Sequence, residues 1–294
     1  MTEDVSQRFE SFDQWSTLDA ITAMYEGQLF AIAAIKPALD TIAKAGEAAA
    51  RNLGRTGRLV YVGAGTSGRL AVQDGAELGP TFNWPQDRIV FAMAGGMAAL
   101  TVSAEGAEDV GHEGENYMRE VNITSEDVVI GVAASGKTPF TLGALQQAKA
   151  MGALTIGICN NPDTPILQTA DYAILAETGS EIVAGSTRMK AGTAQKAILN
   201  MLSTAIMTRL DRVYKGYMVD MVASNKKLER RAVNMVCDIT KCSREIAVTS
   251  LAKSGQNIKL AVLIAMGETP DASRALLDKE NGNLRQALES QSNS

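Results

Sequence analysis

The apolar residues of this chain follow two patterns. Between residues 58 and 177 they form short continuous runs, each beside a glycine or a polar turn: "RLVYVGAG" (58–65), "DRIVFAMAG" (87–95), "DVVIGVAAS" (127–135), "LTIGICN" (154–160) and "YAILAE" (172–177). Continuous runs of this length, rather than alternation, mark strands buried on both faces of a parallel sheet. Helical patterns separate most of them, at 67–78, 97–121 and 141–150, with only "TPILQTA" before the last run. The alternation predicts an α/β fold: a doubly wound, five-stranded parallel sheet with helices on both faces. Ligands of such sheets sit beyond the carboxyl ends of the strands. The loops at 63–68, 94–97, 133–138 and 178–187 would then share one rim.

Elsewhere the period is helical. Residues 15–50 have helical spacing interrupted at Pro37, and a long amphipathic segment, "AQKAILNMLSTAIMTRLDRVY", follows Thr193. Further helices are predicted near 218–236, 243–253, 257–265 and 271–289, with turns at Gly267 and Gly282. The chain thus divides into an N-terminal helical segment (1–50), a sheet domain (51–215) and a C-terminal helical region (216–294). The last reads as a packing layer or an oligomerisation surface.

Composition narrows the function. Apolar residues make up 46% of the 294, aromatics only 5%, and the net charge is −5. No global positive field recruits nucleic acid or an anionic membrane, although backbone amides and hydroxyls can still hold a phosphate locally. The polar, acidic start "MTEDVSQRFESFDQW" does not read as a secretory signal. No run reaches the ~18 apolar residues that a spanning helix needs. Three cysteines, Cys159, Cys237 and Cys242, without C-x-x-C spacing, read as reduced thiols of a cytoplasmic protein. His112 is the one histidine. It reads as an exposed helical residue, and a His-rich metal site is excluded.

Two strings imitate nucleotide motifs. "GAGTSG" (63–68) satisfies G-x-G-x-x-G, yet the second strand ends in "FAMAGGM", without the carboxylate that a dinucleotide ribose requires. "GVAASGKT" (131–138) satisfies the Walker pattern, but Gly131 lies within a strand and none of the five strands ends in Asp. What remains is a repeated theme of strand, hydroxyl-rich glycine loop and helix start: "GTSGR" (65–69), "ASGKT" (134–138) and, before the long helix, "GSTRMKAGTAQK" (185–196). Ordinary capping explains one such loop. Three on one rim point to a phosphomonoester held without metal.

The strings "GAGTSGRL", "EGAED", "AASGKTP" and "GSTRMKAGTAQKAILNMLST" closely resemble the N-acetylmuramic acid 6-phosphate etherases, bacterial members of the sugar isomerase (SIS) superfamily related to the glucokinase regulatory protein. The resemblance runs from about Arg58 to Asn225, and more weakly beyond. It implies an SIS-type three-layer αβα sandwich. It also implies cofactor-independent cleavage of a lactyl ether on an amino-sugar 6-phosphate in peptidoglycan recycling, by elimination and then hydration. The family's acid is matched by Glu77 in "DGAELGP" and its second catalytic glutamate by Glu108 in "EGAED". By composition alone Glu105 competes with Glu108, at i−3 on a similar helix face. The resemblance places phosphate on Gly65, Thr66 and Ser67, on Ser135, Gly136 and Thr138, and on Ser186 and Thr187. Lys190 or Arg188 would supply charge, with Lys137 turned to solvent. It further implies a homodimer with sites near the interface.

There are departures. The acid-bearing segment of the family usually resembles "DASECPPT", whereas here Leu78 and Gly79 replace Cys and Pro. "ESFDQWSTLDA" keeps only an echo of the usual N-terminal segment. A sugar-phosphate-sensing regulator and an aldose–ketose isomerase are the competing readings. The two glutamates favour catalysis over sensing, and the "STRMKAGTAQK" string goes with the etherase branch.

Overall fold

The computed structural model describes residues 1–102, 104–223 and 225–292. Five parallel strands, β1 (Leu59–Gly63), β2 (Ile89–Met93), β3 (Val128–Ala133), β4 (Leu154–Cys159) and β5 (Tyr172–Leu175), form one sheet in the order β2-β1-β3-β4-β5. Each apolar run supplies one strand. β1 and β3 are buried throughout, as interior parallel strands should be, while β2 and β5 stand at the edges and are partly exposed. Gly131 lies inside β3, opposite Gly157 of β4. A Cβ on Gly131 would stand 2.6 Å from Leu145 Cδ1, so the absent side chain lets a helix press on the sheet. Its place in the ladder removes it from any phosphate loop.

Helices cover both faces of the sheet. α1 (Thr17–Ala33) and α2 (Leu39–Leu53) flank a 3-10 turn at Lys36–Ala38 that contains Pro37. α3 (Gly65–Ala76) follows β1 and α4 (Leu78–Phe82) comes next. α5 (Gly111–Glu120), α6 (Pro139–Ala150) and α7 (Pro165–Thr169) share a core with Val60, Val62 and Val129 through Met118, Phe140, Leu145 and Ile166. On the opposite face α2 and α3 pack on the strands. There Tyr61 of β1 reaches Asp74 of α3, which is bound in turn by Asn200 of α8 (Lys190–Arg209).

The predicted helix over 97–121 is not continuous. Met97–Leu100 and Ala107–Asp109 are separate 3-10 turns, and only Gly111–Glu120 is α-helical. Gly95, Gly96 and Gly106 all take positive φ, which an α-helix cannot contain. Gly106 stands in the left-handed region at φ 73°, between Glu105 and the turn that bears Glu108.

At the amino ends of the strands Asp127 is the principal tie. It accepts from Arg58 N (2.8 Å), Nε (3.1 Å) and Nη2 (2.7 Å) and from Thr124 N (2.8 Å). Burial alone would raise its pKa. The Arg58 guanidinium and the two amides outweigh that and hold it below the usual carboxylate value.

The chain forms two compact units, Met1–Ala76 with Gln86–Ile206, and Glu77–Pro85 with Met207–Ser294. The first contains the sheet. In the second a short hairpin, β6 (Val213–Tyr214) and β7 (Tyr217–Met218), turns through Lys215 and Gly216, both at positive φ as a two-residue hairpin requires. It precedes α9 (Lys226–Thr240), α10 (Arg244–Lys253), α11 (Ile258–Ala265), α12 (Pro270–Lys279) and α13 (Leu284–Ser292). The helix predicted from 218 starts only at Lys226, where the Asn225 side chain caps it. Over 271–289 the predicted turn at Gly282 (φ 82°) separates α12 from α13. Val236, Leu251, Val262, Leu277 and Ala287 make the core of this unit. Arg212 donates to the carbonyls of Phe82 (2.6 Å) and Asn83 (3.0 Å) and lies 5.1 Å over the Trp84 ring, which binds the 77–85 segment to it.

Candidate active site at the carboxyl ends of the strands

The first loop turns sharply between β1 and α3. Gly63 and Gly68 touch backbone to backbone: a Cβ on Gly63 would lie 2.8 Å from Gly68 N, and one on Gly68 2.8 Å from Gly63 O. Gly65 takes φ +50°, and Gly68 N donates to Ala64 O at 3.0 Å. These glycines serve the turn itself. Ser67 is buried and Thr66 half-buried. Thr66 Cγ2 stands 3.6 Å from where a Cβ on Gly192 would be, so the first loop lies against the first turn of α8.

The second loop carries its own hydroxyl network. Lys137 N donates to Ser135 Oγ (3.2 Å), and Ser135 Oγ and Thr138 Oγ1 are 3.5 Å apart. Gly136 has φ +66°, and a Cβ there would collide with Thr164 Oγ1 at 2.3 Å. Lys137 is exposed, as expected, and so is His112 on α5. Cys159, at the end of β4, is no nucleophile: burial pushes its thiol up to about 12, against a smaller opposing effect of Thr164.

The third loop is arranged differently from a bare anion site. Glu181, fully buried, accepts from Lys190 N (3.0 Å) and Ala191 N (2.9 Å). A carboxylate of the chain therefore occupies the amides and positive dipole at the start of the 20-residue α8. Lys190 Nζ donates to Thr178 O (2.7 Å) and lies 5.6 Å over the Phe30 ring. Burial lowers its pKa, with Glu181 acting in the opposite sense. Ser186 and Thr187 are half-buried, and Arg188 is exposed. Thr187 N donates to Gly185 O (2.9 Å), and Thr187 O accepts from Gly192 N (2.8 Å). Ser186, Thr187 and Arg188 are thus the polar side chains this loop presents, while the amides at the helix start are taken by Glu181.

A cavity of about 220 Å³ opens beside the first loop. Gly65 and Arg69 line it from the α3 side, Ala94 from the tip of β2, and Glu105, Gly106 and Glu108 from the following turns. Arg69 holds that wall in place, donating from Nη2 to Ala99 O (2.9 Å) and from Nε to Leu100 O (3.0 Å). Glu105 and Glu108 are both exposed and both face this space. The cavity brings together Gly65 and Glu108. Glu77, exposed between α3 and α4, belongs to the second compact unit. Among the described residues, no group of three or more His, Cys, Asp or Glu is arranged to hold a metal ion.

Besides Asp127, two buried carboxylates escaped the sequence reading. One is Glu181. The other is Asp74, which accepts from Tyr61 Oη (2.9 Å), Asn200 Nδ2 (2.6 Å) and Ser203 Oγ (3.1 Å) and so joins β1, α3 and α8. Burial raises its pKa, and the three donors and Lys196 offset that only in part. Each stands in a recognisable string, "DGAELGPT" or "GSEIVAGSTRMK", but nothing in one dimension distinguishes it from a solvated acid.

Comparison with known proteins bears on the family. Residues 96–205 match the SIS domain model, and residues 41–149 match that of the glucokinase regulatory protein N-terminal SIS domain. The chain is 45% identical over 288 residues to the N-acetylmuramic acid 6-phosphate etherase of Deinococcus radiodurans, covering 98% of this chain and 94% of that one. It is 42% identical over 290 residues to the enzyme of the same name from Synechocystis, covering 98% and 95%. A solved Bacteroides fragilis structure, named for a phosphosugar isomerase, superposes with a TM-score of 0.51 at 22% identity over 69% of this chain and 95% of that one, which speaks to the fold alone. With relatives this similar along nearly its whole length, the chain belongs to the N-acetylmuramic acid 6-phosphate etherase family of SIS-domain proteins.

Proposed function

We propose that this protein cleaves the D-lactyl ether of N-acetylmuramate 6-phosphate, releasing D-lactate and N-acetylglucosamine 6-phosphate. The observation that carries the reading is near-full-length similarity, at 40–45% identity, to relatives bearing that name. The cavity beside the first loop, with Glu108 on its wall, supports it. Glu108 acts as base on the C2 proton of the ring-opened sugar, next to its carbonyl. The electrons of that C–H bond form a C2–C3 double bond as the C3–O bond breaks, and Glu77 in its acid form protonates the departing lactate oxygen. Water then adds across the double bond, hydroxyl to C3 and proton to C2. A proton beside a carbonyl needs a placed base, and a poor alkoxide leaving group needs a proton donor. Gly65, Thr66 and Ser67, Ser135, Gly136 and Thr138, and Ser186 and Thr187 hold the phosphate. Arg188 takes the cationic role, since the Lys190 ammonium is committed to Thr178 and Phe30. No cofactor enters this scheme.

Incubation with N-acetylmuramate 6-phosphate in H₂¹⁸O tests it. D-lactate should appear, and the label should enter the sugar at C3. Label in lactate would indicate displacement at the lactyl carbon. Sugar-phosphate binding without lactate would instead favour a sensing regulator.

The protein acts as a cytoplasmic homodimer in this reading. Leu18, Ile21, Tyr25, Leu29 and Ile32 recur at three- and four-residue spacing on α1 and are exposed, a stripe suited to a second helix. The stretch Thr17–Leu53 is long and apolar enough to cross a membrane, but the turn at Lys36–Ala38 divides it into helices of 17 and 15 residues. In light scattering the wild type should be a dimer and Tyr25→Glu/Leu29→Glu a monomer. A variant that stays dimeric would remove this stripe from the interface.

A further inference from the structure

Residues 2 and 3 lie on the same rim as the hydroxyl loops. Thr2 is fully buried. Its backbone N–H donates to Asn161 Oδ1 (3.0 Å), and Asn161 Nδ2 donates to Thr2 Oγ1 (2.8 Å) and to Ala134 O (3.1 Å). Ala134 begins the second loop, one residue before Ser135. The neighbouring Asn160 donates from N to the same Ala134 carbonyl (3.1 Å), and its Oδ1 accepts from Gln195 Nε2 of α8 (2.9 Å). On the other side, Glu3 Oε2 stands 2.9 Å from where a Cβ on Gly185 would be, and Gly185, at φ +72°, directly precedes Ser186. A two-residue span therefore touches the second loop through Asn161 and the third loop through Glu3.

From this juxtaposition we infer that Thr2 is a positioning residue for sugar-phosphate binding, acting through Asn161. The paired Thr2–Asn161 hydrogen bonds hold Ala134 and, with it, Ser135 and Thr138. They also seat Glu3 over Gly185, so that Ser186 and Thr187 are presented in one arrangement with the second loop. The buried Thr2 hydroxyl accepts one of the two Asn161 amide protons, so replacing it removes that acceptor while Asn161 keeps Thr2 N and Ala134 O, and replacing Asn161 removes all three links. Thr2 itself touches no substrate in this scheme. The inference rests on the phosphate-binding role given above to the loops.

The test compares wild type, Thr2→Val, Thr2→Ser and Asn161→Ser. Calorimetry gives the Kd of N-acetylglucosamine 6-phosphate, and lactate release from N-acetylmuramate 6-phosphate gives KM and kcat. Thr2→Val should raise both Kd and KM about tenfold, the worth of roughly one hydrogen bond, with kcat and melting temperature near wild type. Thr2→Ser should restore them, and Asn161→Ser should reproduce the loss by the other partner. Kd and KM at wild-type values in Thr2→Val would overturn the inference, as would a rise in KM accompanied by falls in both kcat and melting temperature. If the wild type releases no lactate, the etherase reading fails on its own, and the Kd series still decides whether Thr2 governs sugar-phosphate binding.

Discussion

Glu108→Gln is expected to cut D-lactate release by roughly 10²–10⁴-fold, the usual worth of a placed general base, while N-acetylglucosamine 6-phosphate still binds. The amide keeps the size of the carboxylate and its place on the cavity wall beside Gly65 but cannot take a proton. Glu105 lines the same cavity, so Glu105→Gln is the necessary comparison. It should lose far less activity. The reverse order of losses would transfer the base role to Glu105. Glu77→Gln should match Glu108→Gln in lost turnover, because a leaving lactate without a proton donor stalls at the same bond. Wild-type turnover in Glu77→Gln would end its role as the acid.

The other large effect concerns stability. Asp127→Ala should cost about 3 kcal/mol, as expected when one partner of a buried ion pair is removed. The substitution strips Arg58 Nε, Arg58 N and Thr124 N of their acceptor at the base of β1 and β3. Urea unfolding followed by circular dichroism measures it. The pH dependence follows from the lowered pKa. The folded protein binds this proton less readily than the unfolded chain, whose ordinary value is 3.8. The stabilisation is therefore fully present above that value and is lost as pH falls through the folded pKa. In Asp127→Ala that part of the acid limb should vanish. Equal stability of the two proteins at neutral pH would show that Asp127 is no tie. Because Asp127 lies at the opposite ends of the strands from the cavity, turnover of the folded variant should change little.

The sheet was legible because burial on both faces forces its strands to be continuous apolar runs, and five runs became five strands. The false Walker motif was legible for the same reason, since Gly131 fell inside a run and the ladder confirms it there. The 97–121 segment was not. Its alanines and glutamates suit a helix, and only the backbone shows Gly106 in a left-handed conformation that ends one. Lys190 and Glu181 show the limit for the site. A lysine in "STRMK" reads as a phosphate cation until packing turns its ammonium towards Thr178 and Phe30. A glutamate in "GSE" reads as solvated until it is found capping α8. By itself the sequence determined the parallel sheet, the family and the loops that carry hydroxyls, because each is written in local runs or long strings. Which charges remain free for a ligand was decided only by the tertiary structure, because a charge is spent or kept according to neighbours far away in the chain.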